Sequence, residues 1–148
     1  MNVHIERASN ADGSSILQLL RDAALPVDGL VEHLSTAFVA REGAAILGCA
    51  ALEVYREGAL LRSVVVAPVA RGRGLGQRLT EAAVALATSL GTPAVYLLTT
   101  TADSYFPMFG FVRITREQVP ASVQQSIEFR FACPASAVVH GENAVGPC

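Results

Sequence analysis

One feature limits what this chain can fold into more than any other: a glycine turn set between a strand pattern and a helix pattern. The run Leu60-Leu61-Arg62-Ser63-Val64-Val65-Val66 reads as a strand and passes through Ala67-Pro68 to Arg71-Gly72-Arg73-Gly74-Leu75-Gly76. From Leu75 to Leu90, apolar residues recur at helical spacing, and Gly91 stops them. A helix that begins on glycines bares its first backbone N–H groups, where its dipole favours negative charge. The glycines let a ligand approach the backbone, and two arginines flank them. The turn is therefore a candidate phosphate cradle. The competing reading is a plain strand-to-helix connection with surface arginines.

The remaining patterns place that turn inside one α/β domain. Val3 to Arg7 alternates like a strand, and Ser9 or Asn10 can cap a helix running through Leu20. Leu25 to Gly29 breaks it, and Leu30 to Leu34 reads as a short second helix. Strands follow at Ala37 to Arg41 and Ala45 to Tyr55, the latter joined through Arg56-Glu57-Gly58 to the Leu60 strand. Both strands of that hairpin are almost wholly apolar, which predicts a central place covered on both faces. Ala94 to Thr100 is another buried strand. The helix between it and the Leu60 strand implies a parallel or locally splayed pair. Ala102 to Phe109 reads as a short helix, Phe111 to Thr115 as a strand, Pro120 to Ser126 as a helix and Ala135 to His140 as a last strand. The expected domain is 1–140, with 141–148 as a loose tail.

Composition narrows the function classes. At 148 residues, with 51% hydrophobic and 16% charged, the chain has ample material for a single core. A net charge of -2 and the lack of a basic run argue against nucleic acid as a partner. There is no apolar run of about 20 residues to suggest a membrane span, nor a basic-then-apolar leader, so the expected location is cytoplasmic. Every one of the eleven basic residues is arginine, which excludes a Schiff-base lysine. Cys49, Cys133 and Cys148 are far apart and suit free thiols; His4, His33 and His140 show no ligand spacing, so no metal is expected.

The hairpin, "SVVVAPVARGRGLGQRL", the helix, the next strand, the short helix and "FGF" together resemble the GCN5-related N-acetyltransferases. That family's Arg/Gln-x-x-Gly-x-Gly/Ala signature is matched by Arg71, Gly74 and Gly76, and its "GF" by Gly110-Phe111. Within the family, "LEVY", "LLRSVVV", "YLLTTTADSYF" and "EFRFACPASAVV" are similar to small acetyltransferases of arsenic-resistance gene sets. Some of these acetylate arsinothricin, an arsenical mimic of glutamate, and relatives acetylate phosphinothricin. The resemblance implies a mixed sheet of about seven strands, splayed between the fourth and fifth and flanked by helices. It implies acetyl-CoA as co-substrate. Backbone groups of Val64, Val65 and Val66 would pair with the pantetheine arm. Arg71, Gly72, Arg73, Gly74, Leu75, Gly76 and Gln77 would hold the pyrophosphate. It implies a small amino acid as acceptor, and it leaves room for a homodimer.

Direct acetyl transfer needs a free amine, a polarised thioester carbonyl and an outlet for protons. The family polarises the carbonyl with backbone N–H groups on the splayed strand, here near Val64 to Val66. Glu53 interrupts an apolar strand and is the candidate base; its alternative is a place at the strand's wet end. The family's leaving-group acid is a tyrosine four residues before the "GF" glycine. That position is Phe106, which leaves the neighbouring Tyr105 as candidate donor or as a packing aromatic. Arg62 must find an anion: either Glu53, if the hairpin register puts both on one face, or a substrate carboxylate. Ser63, Thr99 and Thr100 are candidate substrate contacts, or ordinary strand residues. The rival functions are acetylation of glutamate or a protein N-terminus, and a non-catalytic acyl-CoA-binding module.

Overall fold

A computed structural model describes residues 2–99, 111–126 and 138–142, with the backbone alone at 99, 113, 116 and 138–142. The described strands are β1 (His4–Arg7), β2 (Ala37–Glu42), β3 (Ala45–Tyr55), β4 (Gly58–Val66), β5 (Val95–Thr99), β6 (Phe111–Ile114) and β7 (Val138–Glu142). They form one sheet in the order β1-β2-β3-β4-β5-β7-β6. Neighbours are antiparallel except β4 and β5, which run parallel. The connection between that pair is α2 (Leu75–Ser89), the crossover helix expected from the Leu75 to Leu90 spacing.

Each face is covered by a different set. Leu75, Leu79, Ala83 and Ala87 of α2 pack on Ala40, Ala50, Leu52, Ala59 and Leu61. On the other face, α1 (Gly13–Asp22) and a 3-10 segment, Leu30–Thr36, cover Val39, Cys49, Ala51 and Val65. Farther along that face α3 (Ala121–Gln124) brings Val123 against Leu60 and Tyr96. The second helix expected at Leu30 to Leu34 is thus a tighter 3-10 turn, kinked at His33 (φ −116°, ψ 16°). No helix among the described residues is long and apolar enough to cross a membrane.

The sheet also reaches past the expected domain end. Gly141 and Glu142 belong to β7, pairing with Tyr96 and Val95 on one side and with Val112 and Phe111 on the other. The expected boundary at 140 thus falls inside β7, which carries Gly141 and Glu142. Ladder hydrogen bonds are made by backbone and need no apolar side chain, so a glycine and a glutamate gave no sign of them. The helix expected over 102–109 and the stretches 127–137 and 143–148 lie outside the described residues.

Candidate functional site

The site begins where β4 leaves β5. Parallel pairing joins Ala59 to Val95, Leu60 to Tyr96 and Leu61 to Leu97, and there it ends. From that point β5 continues with β7, through Leu98 and Thr99, while β4 continues with β3. Among the described residues no strand pairs with the far edge of β4 over Ser63 to Val66. The two strands part like a V, with the polar backbone edge of Val64 to Val66 along one arm.

A β-bulge marks the same point. Cys49 pairs with Val65 and Ala51 with Arg62, so the single residue Ala50 faces two residues, Ser63 and Val64. The bulge resets the alternation of β4: Leu61, Val64 and Val66 pack on the α2 side, and Val65 packs on the α1 side. Ser63 has φ +60°, a left-handed backbone that serine rarely adopts. Gly48 makes the tight passage beside the bulge possible. A Cβ there would stand 2.8 Å from the Val65 carbonyl oxygen and 3.1 Å from Leu79 of α2.

The glycine turn lies beyond the arm formed by β4. Pro68–Ala70 makes one 3-10 turn, and Gly72 (φ +84°) and Gly74 (φ +73°) both take left-handed backbone. An added Cβ would meet nothing at either position, so conformation rather than space demands glycine. Gly74 is the residue before the helix and supplies no side-chain cap; its carbonyl accepts from Arg78 N at 3.1 Å. The N–H groups of Leu75, Gly76 and Gln77 precede that first helical bond and point off the end of α2. Arg71 folds back, Nε donating to the Val66 carbonyl at 3.3 Å.

A buried charged group lies on the α1 face, at the seam between α1 and α3. Glu53 and Arg62 are 1% and 2% exposed, and the register sets them diagonally on one face. Arg62 Nη1 donates to Glu53 Oε2 at 2.8 Å and to the Asp28 carbonyl at 2.6 Å. Its Nη2 donates to the Pro26 carbonyl at 3.1 Å and its Nε to Ser63 Oγ at 3.0 Å. Tyr55 donates its hydroxyl to Glu53 Oε1 at 2.5 Å, and His33 Nε2 lies 4.0 Å from the same oxygen. Burial works to raise the Glu53 pKa. Hydrogen bonds from Ser126, Tyr55 and Arg62, with His33 nearby, outweigh it and hold the carboxyl below its usual range. Burial first, and Glu53 second, push the Tyr55 hydroxyl the other way, so it stays protonated.

The structure brings Glu53, Arg62 and Ser63 together, and it sets Val64, Val65 and Val66 on the parting strand that leads to the 71–77 turn. The backbone of Thr99 pairs with Val138, away from β4. Thr100 and Tyr105, like Phe106, lie outside the described residues. Sequence reading gives Tyr55 and Ser126 no role as site residues, and it takes Cys49 for a free thiol and His33 for a histidine without ligand spacing. Tyr55 was within reach, because it is two residues beyond Glu53 and shares its face. His33 and Ser126 meet Glu53 from 20 residues away or more, and Cys49 meets Ser63 from 14 away across the hairpin, which no local spacing reports.

Residues 33–113 match the model of the acetyltransferase (GNAT) domain. The chain is 28% identical to an uncharacterized N-acetyltransferase of Chlorobaculum tepidum, covering 91% of this chain and 94% of that one. It is 30% identical to an amino-acid acetyltransferase of Ralstonia nicotianae over 79% of its own length, but spans only 28% of that protein. Among solved structures, N-acetylglutamate synthase from Neisseria gonorrhoeae, complexed with coenzyme A and N-acetyl-glutamate, superposes with a TM-score of 0.80. That match has 20% identity and covers 96% of this chain and 35% of the synthase. Rv2747 from Mycobacterium tuberculosis, in complex with CoA and NLQ, superposes with a TM-score of 0.79 at 24% identity, over 94% of this chain and 98% of that one. With its splayed sheet, bulged fourth strand and glycine-led helix, the chain belongs to the GNAT acetyltransferase family.

Proposed function

We propose that this acetyltransferase moves the acetyl group of acetyl-CoA onto the α-amine of a small glutamate-like amino acid by direct attack, with no acyl-enzyme. The observation that carries the donor half is the continuity of the parted β4 edge with the glycine turn. Pantetheine runs along Val64 to Val66 as an added strand would, and the pyrophosphate rests on the N–H groups at the start of α2, beside Arg71 and Arg73. The acceptor half is supported by the amino-acid acetyltransferase of Ralstonia among its relatives. Arsinothricin and phosphinothricin, both glutamate mimics, fit the same acceptor class and are carried by sequence resemblance alone.

Roles follow from chemistry. An amine is mostly ammonium at neutral pH and must lose a proton before it attacks. Glu53 is ionised there and takes that proton through water, with His33, whose side chain is 22% exposed, as the more open member of the group. Tyr105 is the proposed donor to the departing thiolate. Arg62 was expected either to pair with Glu53 or to grip the substrate carboxylate. It has Glu53, Ser63, Pro26 and Asp28 as acceptors within the protein, and in our reading it holds these parts together.

The test is thiol release by the purified protein with acetyl-CoA and a panel of amines: glutamate, arsinothricin, phosphinothricin, neutral amino acids, polyamines and a peptide N-terminus. The expected result is a preference for acidic α-amino acids. Equal rates across unrelated amines, or a preference for the peptide, overturn the acceptor assignment. Tight acetyl-CoA binding without turnover on any amine points to a binding module instead.

A further inference from the structure

Ser63 stands at the first position of the bulge, in the left-handed conformation that such bulges usually reserve for glycine. A serine is strained there, and a strained residue persists only where its surroundings over-determine it. Here both of its ends are held. The Arg62 Nε–H donates to its hydroxyl at 3.0 Å, and the Cys49 thiol donates to its carbonyl oxygen at 3.2 Å. The holders are fixed in turn. Arg62 is tied to Glu53, Pro26 and Asp28, and Cys49 is fully buried on β3, beside the same bulge. Burial pushes the Cys49 thiol up to about 12, so it keeps the proton that it donates.

A bulge leaves one peptide unit without a counterpart on the neighbouring strand. This one does so where β4 has also lost β5. We propose that Cys49 and Arg62 are positioning residues: they clamp Ser63 so that the spare amide of the bulge is aimed at the thioester carbonyl of the donor. The proposal rests on the acetyl-CoA reading above and deepens it. A donor fixed before substrate arrives needs no reorganisation as negative charge builds on the thioester oxygen. The clamp achieves this without either side chain touching substrate. It also gives work to a cysteine and an arginine that a packed sheet would not otherwise require.

Difference infrared spectroscopy of isotopically labelled acetyl-CoA tests this without an acceptor. Bound to the unaltered protein, the thioester C=O stretch is expected at lower frequency than in water. Cys49→Ala should lose most of that shift. With the best amine from the panel, its kcat should fall roughly ten- to a hundredfold, the scale of a misplaced reacting group, while KM for acetyl-CoA stays within about threefold. Cys49→Ser, which keeps a hydrogen-bond donor, should recover most of both. Should Cys49→Ala fail to fold, Ser63→Ala removes only the Arg62 arm and is read the same way. A full carbonyl shift retained in folded Cys49→Ala or Ser63→Ala overturns the clamp, as does an unchanged kcat per folded molecule in both. Binding to the unaltered protein with no carbonyl shift overturns the clamp alone; no binding at all removes the acetyl-CoA reading and the clamp with it.

Discussion

The two faces of the sheet are held on different terms. Under α2 the contact is chiefly leucine and alanine from both sides, with Leu79, Ala83, Ala50 and Leu52 fully buried and Thr80 the one polar side chain of the helix buried among them. Hydrophobic transfer accounts for that face, at about 1.5–3 kcal/mol for a buried leucine. The opposite face buries an ion pair and two serines, with the half-buried Tyr55 hydroxyl beside them, where α1 gives way to α3. Such a pair seldom adds net stability over well-packed apolar residues, although breaking it is costly. One face is therefore an apolar scaffold; the other accepts a cost in stability, which the function proposed above assigns to chemistry.

Four measurements break or sharpen that contrast. Arg62→Met leaves the Glu53 carboxylate buried without its partner and should cost about 3–5 kcal/mol in urea unfolding. The double change with Glu53→Leu should recover most of it while leaving no activity. A single-variant loss near zero would erase the distinction between the faces. Leu79→Ala should cost about 3 kcal/mol through the cavity it opens under α2. Its kcat per folded molecule should stay unchanged, and a fall in kcat would show the scaffold face to be part of the chemistry. Gly48→Ala should cost about 1–3 kcal/mol by overpacking, because the new Cβ meets the Val65 carbonyl. It should also weaken acetyl-CoA binding by calorimetry, since the push falls on the donor strand.

The smallest effect expected is on acid stability. Glu53 has a folded pKa below its unfolded value, so its contribution is complete above the unfolded value and is lost as pH falls through the folded one. Asp12 acts with the same sign, chiefly through the Ser9 N–H and Arg41. Unfolding curves between pH 7 and 3 should therefore show a gentler acid slope for Glu53→Gln than for the unaltered chain. Identical slopes would mean that the ion pair is not what acid attacks.

Much of the scaffold face was legible in the sequence. The 75–90 spacing, the glycines and the hairpin are local patterns, and α2 and the β4–β5 crossover follow from them. The chemical face was legible only in part. Glu53 and Arg62 stood out because charge is rare in an apolar strand, yet their register could not be read until the hairpin was built. The bulge was invisible for a related reason. Leu60 to Val66 is apolar on both faces, so a slip of alternation between Arg62 and Val64 leaves no trace in hydropathy. Nor could sequence show that Cys49 would find the carbonyl of Ser63, 14 residues on.

One guanidinium ties the carbonyls of Pro26 and Asp28 to the serine that bends β4. The connection after α1 and the bulge of β4 are thereby joined as one mechanical part. A foreign segment grafted over 26–28 would thus also loosen the bend at Ser63 and, on the donor role proposed above for β4, would carry acetyl-CoA binding with it.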